Sequence, residues 1–394
     1  MTTTAKKLKQ PVQAQKPITT VEQLHVHLYQ AAQVELSTIP LYLYAAYSIQ
    51  TSGDYQWDPG ISAFRTIRSV VIEEMLHLCL VRNIMVATGA PAFSFYDEDF
   101  VTKYPSPMLH REPELMLRLE PCTTKLMERV FMPLELPAKT SAPPQPDHYN
   151  TLGQFYAAIT AGLEKLSGPK LWRNPRGDLQ YSTSYWNQDG GGKPVCVLDL
   201  PSALAAVATI VEQGEGASPD DPMVPLHPAD PQFGYEEYSH YAKFKRIADG
   251  NDLIRDLWPV PTDPKAADFD GPVRGLAELF NAAYCYVLCM IDALYTTSAE
   301  TVQAGKRSPR YGLERTFIAA MGGMLFPIAD LLVRQKAKRR GRAHAAPTFE
   351  FHRFDARPAK KAQLLGMCDE LLGAFPELGG DDGVRALLER LPSV

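Results

Sequence analysis

Carboxylates and imidazoles set into apolar helical runs constrain this chain more than any other feature of its sequence. Glu74 and His77, in Ile72-Glu73-Glu74-Met75-Leu76-His77, stand three residues apart, an offset that puts both on one face of a helix. Val70, Val71, Leu78 and Val81 around them are apolar, so that face points inward. The same offset recurs at Glu237 and His240, in Tyr235-Glu236-Glu237-Tyr238-Ser239-His240. Glu35 and Glu212 each stand alone in an otherwise apolar helical stretch. An uncompensated carboxylate on a buried face costs several kcal/mol, and cations would compensate all four together. The helices carrying these groups therefore have to meet. Glu73 and Glu236 lie four residues from their histidines, which a helix face also permits, so the choice between Glu73 and Glu74, and between Glu236 and Glu237, stays open here.

Hydrophobic periodicity supplies the helices. Val21 to Gln50 repeats apolar residues at Leu24, Leu28, Ala31, Ala32, Leu36, Ile39 and Leu43, with Thr20 placed to cap and Ser52-Gly53 to stop. Pro40 inside this run predicts a kink. A second helix is expected over Ser62 to Thr88, ended by Gly89. From Ala90 to about Val197 the texture turns to Pro, aromatics and short apolar patches, and only Thr151 to Leu166 reads as a helix. Further helices are expected at Pro201 to Gln213, Tyr235 to Ala248, Val273 to Thr297 and Leu313 to Arg340, with two short amphipathic pieces between Gln363 and Leu391. The expectation is a mainly all-α chain: a disordered tail over 1–18, a four-helix metal-binding domain over 19–250 with a long loop-rich insertion at about 90–198, and a C-terminal helical extension over 251–394 packed on the bundle.

Composition narrows the function classes. The 394 residues carry 40 Lys and Arg against 45 Asp and Glu, a net charge of -5 that gives no general attraction to nucleic acid or anionic lipid. The basic run from Arg334 to Arg342 reads as a solvated helix end. Phe280 to Ile291 and Thr316 to Ala329 are uncharged, but each run is short, and Asp292, Pro327 and Asp330 interrupt or bound them, so buried helices are expected rather than membrane spans. The six cysteines form no C-x-x-C pair and read as buried, reduced thiols, and the N-terminus lacks the apolar core of a secretory signal. A cytoplasmic protein is expected. No phosphate-binding Gly loop, nucleophile elbow or cysteine zinc cluster is present. His25 and His27 read as partly exposed; Tyr42, seven residues after Glu35, and Tyr156 read as packing groups that could line a substrate cavity.

In order, the site residues run Glu35, Glu74 with His77, Glu212, then Glu237 with His240. That is the ligand order of ferritin-like carboxylate-bridged di-metal bundles, in which oxygen and nitrogen donors suit two iron ions, with manganese or zinc compatible by ligand type. Val34-Glu35-Leu36-Ser37-Thr38-Ile39-Pro40-Leu41-Tyr42-Leu43 and Glu73-Glu74-Met75-Leu76-His77-Leu78 resemble the ferritin-like domain of the iminophenyl-pyruvate dimer synthase family. The blocks Leu152-Gly153-Gln154-Phe155-Tyr156, Ile210-Val211-Glu212-Gln213-Gly214-Glu215-Gly216 and Ser239-His240-Tyr241-Ala242-Lys243-Phe244 are similar too. This family includes the dimer-forming enzymes of violacein and rebeccamycin biosynthesis. The resemblance implies a di-iron oxidoreductase that uses dioxygen on a small substrate, an aromatic amino acid or its imine, in natural-product biosynthesis. Oxidative coupling of imines is the implied reaction. Insertion and C-terminal helices would wall the substrate cavity, and a homodimer is compatible. The competing expectation is a non-catalytic ferritin-like scaffold, or a metal-binding partner of another pathway enzyme.

Overall fold

The computed structural model describes residues 8–51, 62–136, 143–182, 191–214, 238–299, 309–338 and 340–394. Helix α1 spans Val21–Tyr47 and starts where Thr20, extended, accepts from the Gln23 N–H while the Gln23 side chain accepts from the Thr20 N–H. It runs unbroken through Pro40 but stops short of Ser52-Gly53. Past Tyr47 the backbone has other partners: Trp258 N–H donates to the Ser48 carbonyl at 2.8 Å, and Ile49 bridges Leu257. From Leu24 onward nearly every α1 residue is buried, the signature of a helix enclosed on all sides. His25 and His27, expected partly exposed, are therefore buried, their rings held by the Thr88 carbonyl and the Tyr149 hydroxyl.

Helix α2 spans Ser62–Ala87, and Gly89 at φ +72° ends it in the left-handed region that favours glycine. The insertion holds a two-residue antiparallel pair, Ser106–Pro107 against Met116–Leu117, and one helix that the sequence reading missed. This helix, α3, runs over 124–134 with a π turn at Met127–Phe131, its start capped by the Thr123 hydroxyl. Helix α4 (Leu152–Leu166) and helix α5 (Leu200–Gly214) follow as expected. Helix α6 spans only His240–Ala248, because Ser239 is extended and caps it. A single helix carrying both Glu237 and His240 is thus not formed, and Glu236 and Glu237 lie outside the described residues.

Helix α1 packs along α2, which also receives α5 and α6; α4 lies against α1 and α5, and the π turn of α3 against α6. Helix α7 (Gly271–Thr296) and the composite helix α8 (309–334) come next. Pro327 is accommodated directly after the π turn Met321–Leu325, in the first turn of Phe326–Arg334, where a missing N–H costs little. Helix α9 (Lys360–Leu371) packs on α7, and α10 (Val384–Arg390) on α9 and on the α8 π turn. Both apolar C-terminal helices are longer than their uncharged runs. By length and composition each could span a membrane, but most of the apolar stretch of α7 and half of that of α8 is buried inside the protein. All six cysteines are free, and all but Cys196 are buried.

Faces of the α1–α2 pair decide where chemistry can sit. Leu36, Ile39 and Leu43 of α1 and Met75 of α2 turn toward α8, closing an apolar cavity with Phe317 and Met321. Glu35 and Thr38, with Glu74 and His77, turn to another face, toward α3, α4 and α5. Among the described residues the insertion and α5 wall the carboxylate site, while the C-terminal helices α7 and α8 wall the neighbouring apolar cavity.

Candidate metal centre

Helical phase brings Glu35, Glu74 and His77 together. All three are below 5% exposed, as are Glu135, which follows α3, and His240, which opens α6. His77 Nδ1 lies 3.5 Å from Glu35 Oε2 and 3.8 Å from Glu74 Oε1. His240 Nδ1 lies 2.9 Å from the same Glu74 oxygen and 3.7 Å from Glu135 Oε1. The two imidazole rings stack at 5.3 Å between centroids, and ligand atoms of Glu74, His77 and His240 fall within 4.8 Å of one another.

Outer contacts fix what each ring presents. His77 Nε2 lies 3.0 Å from Gln213 Oε1, and His240 Nε2 lies 2.9 Å from Glu73 Oε2. Both outer partners are acceptors, so Nε2 of each ring is assigned a proton, and Nδ1 is the atom each ring turns to the carboxylates. His240 Nδ1 has no hydrogen-bond partner among the described residues despite its 2.9 Å approach to Glu74. Ring and carboxylate are not aligned on each other. A close approach without an aligned hydrogen bond is compatible with two ligands of one cation. Hydroxyls hold the carboxylates: Thr38 and Tyr156 donate to the other oxygens of Glu74 and Glu35, and Tyr42 donates at 2.6 Å to the Glu135 oxygen that faces His240.

Electrostatics point the same way. Burial pushes the Glu74 carboxyl up to about 7, with neighbouring Glu135 and Glu35 adding to the rise and His240 opposing it. Burial resists charging of His77, but the Glu35 and Glu74 carboxylates outweigh it and hold the ring above its ordinary value. His240 is likewise held well above, by Glu135, Glu73 and Glu74 against burial. Protons thus stand where the carboxylates call for positive charge, and a divalent cation would displace them. Donor chemistry, burial and the orphaned Nδ1 all fit a metal.

The sequence-derived set is only partly assembled. Glu35, Glu74, His77 and His240 converge; Glu237 lies outside the described residues. Glu212 does not join them. Ala203, Ala206, Val207, Ile210 and Gln213 form the buried face of α5, and Glu212 falls out of phase with it, half-buried, its carboxyl raised by partial desolvation. Gln213 reaches His77 instead. The third carboxylate is Glu135, which the reading passed over, although Leu126, Met127, Val130, Phe131 and Leu134 show the three-and-four spacing that would have revealed its helix. Glu73 is separated from Glu74 by function: it is tied to Lys243, to the Gly191 N–H and to His240 Nε2.

Helices presenting buried carboxylates and imidazoles to one another define a bundle protein organised around a carboxylate–imidazole centre. The chain belongs to the Ferritin-like family, which matches residues 28–249, more than half its length. It is similar to dichlorochromopyrrolate synthase of Lentzea aerocolonigenes, 29% identical across 87% of this chain and 37% of that protein. It is also similar to 2-imino-3-(indol-3-yl)propanoate dimerase of Chromobacterium violaceum, 25% identical across 82% of this chain and 33% of that one. The chain spans about a third of the length of these curated relatives. A crystal structure of a ferritin-like protein from Caulobacter vibrioides superposes with a TM-score of 0.53 at 23% identity, covering 84% of this chain and 99% of the other, a likeness of fold.

Proposed function

We propose that this protein is a metal-dependent oxidoreductase of natural-product biosynthesis that couples imines derived from aromatic amino acids. One observation supports the metal: His77 and His240 turn Nδ1 atoms into a buried group of three carboxylates, and among the described residues His240 Nδ1 makes no aligned hydrogen bond there. Glu35, Glu74 and His77 would hold one ion, and Glu74, Glu135 and His240 the other. Iron fits this oxygen-and-nitrogen donor set, and manganese fits it as well. Bound there, a redox-active pair would supply electron transfer to dioxygen. Coupling two imines by a new C–C bond removes two hydrogens; dioxygen accepting both electrons and both protons leaves as hydrogen peroxide. The names of the two relatives support this substrate class. Tyr42, Tyr156 and Thr38 keep the carboxylate oxygens oriented by donating to them, and the apolar walls from α3, α4 and α5 exclude bulk water.

A second reading has its own support. The cavity at the cluster measures about 20 Å³ among the described residues, room for an ion or one water and not for an organic molecule. A metal-holding scaffold or partner subunit of a pathway enzyme would look the same. Oxygen uptake separates them. Iron-loaded protein given indole-pyruvate imine is expected to consume dioxygen and form a dimeric product, and Glu74→Ala to lose both. Metal binding without substrate-dependent uptake would favour the scaffold.

A further inference from the structure

The two imidazoles present the same atom to the cluster but are not held alike. Behind His77 stands a neutral amide, Gln213 Oε1 at 3.0 Å. Behind His240 stands a carboxylate, Glu73 Oε2 at 2.9 Å. That carboxylate is fixed in turn: Lys243 Nζ donates to its two oxygens at 2.8 and 2.7 Å, and the Gly191 N–H donates at 2.9 Å. Lys243 sits three residues after His240 on α6, so one helix delivers both the ring and the cation that anchors the ring's partner. The loop supplying Gly191 is pressed onto α2. Gly192 beside it has φ +72°, and a Cβ there would meet Leu76 Cδ2 at 2.9 Å. All of these side chains are at least nine-tenths buried, so water screens none of them much.

A hydrogen bond to an ionised acceptor is roughly twice as strong as one to a neutral acceptor. On an imidazole it raises the donor strength of the opposite nitrogen and locks the ring's direction. We infer that Glu73 and Lys243 are positioning residues for His240, and that they make the ion position beside His240 the tighter of two unequal positions. The centre then fills in order, the His240 side first and the His77 side, backed only by an amide, second. This rests on the metal centre proposed above.

Cobalt(II) is the probe, titrated into metal-free full-length protein in competition with a chromophoric chelator and followed through its visible ligand-field bands. Wild type is expected to show two affinities. His240→Ala removes the tighter phase and His77→Ala the weaker one. Glu73→Gln and Lys243→Met should weaken the tighter phase by roughly 10- to 100-fold, the range for lost outer-layer partners of a ligating histidine, and shift its bands while leaving the weaker phase in place. Lys243→Arg should restore it. Gln213→Glu, which keeps an acceptor behind His77, should tighten the weaker phase and narrow the gap. That variant decides the matter if Lys243→Met does not fold by circular dichroism. Equal wild-type affinities, or an unchanged tighter phase in both Glu73→Gln and Lys243→Met, would overturn the inference while leaving the metal centre standing. Absence of any cobalt binding by folded wild type would remove the metal centre itself.

Discussion

Glu73 and Glu74 are chain neighbours with different tasks, and one helical step of about 100° separates them. Glu74 turns its oxygen to two imidazole nitrogens, whereas Glu73 turns to a lysine and to the back of one ring. The offset to His77 favours Glu74 from sequence alone; Lys243, the group that claims Glu73, is distant in the chain and invisible to local spacing. Buried histidines away from the cluster carry a separate consequence. Burial lowers the His27 pKa below its ordinary 6.5, with the Gln23 carbonyl opposing and His110 assisting. The folded protein then binds fewer protons there than the unfolded chain. Its contribution to stability is full above about pH 6.5 and is lost as pH falls through the lower folded value. In metal-free protein His27→Asn should lose less stability than wild type, relative to its own value at about pH 8, as pH falls below about 6.5. An identical loss in the variant would remove His27 from the account.

Two elements define the limits of what the sequence discloses. Long periodic runs at α1, α2, α4, α5 and α7 are legible to within a few residues, because an enclosed helix writes its burial into three-and-four spacing. Helix α3 is harder to see, since its three turns are short and lie in proline-rich surroundings, although the spacing of Leu126, Val130 and Leu134 is present. With it went Glu135. At α6 periodicity predicts a helix from Tyr235, but Ser239 accepts from the Ala242 N–H and begins the helix at His240. Ser/Thr–x–x patterns inside an apparently continuous helix are hard to tell from interior residues until the backbone is seen. Ser239→Ala should cost about 1 kcal/mol, as losing such a cap usually does, and should weaken metal binding because the cap sets the direction of His240. Thr20→Ala at the start of α1 should cost a similar amount with metal binding intact, and comparable metal loss in both would show that α6 capping has no special link to the centre.

At the scale of the whole molecule, one buried helix pair divides the protein. On one side of α1 and α2, α7 and α8 complete an apolar core; on the other, α3 to α6 enclose charged groups that no apolar core would tolerate unpaired. Burying Glu35, Glu74 and Glu135 together calls for positive charge beside them, and the proposal that a metal cation supplies it is the claim on which everything functional depends. The most direct measurement is metal content per chain after expression in iron-supplemented medium and purification without chelators, for wild type, Glu135→Gln and Glu212→Gln. Wild type and Glu212→Gln are expected to carry up to two ions each, and Glu135→Gln markedly less. Metal-free wild type that cannot be loaded afterwards, or loss on Glu212→Gln with none on Glu135→Gln, would contradict it.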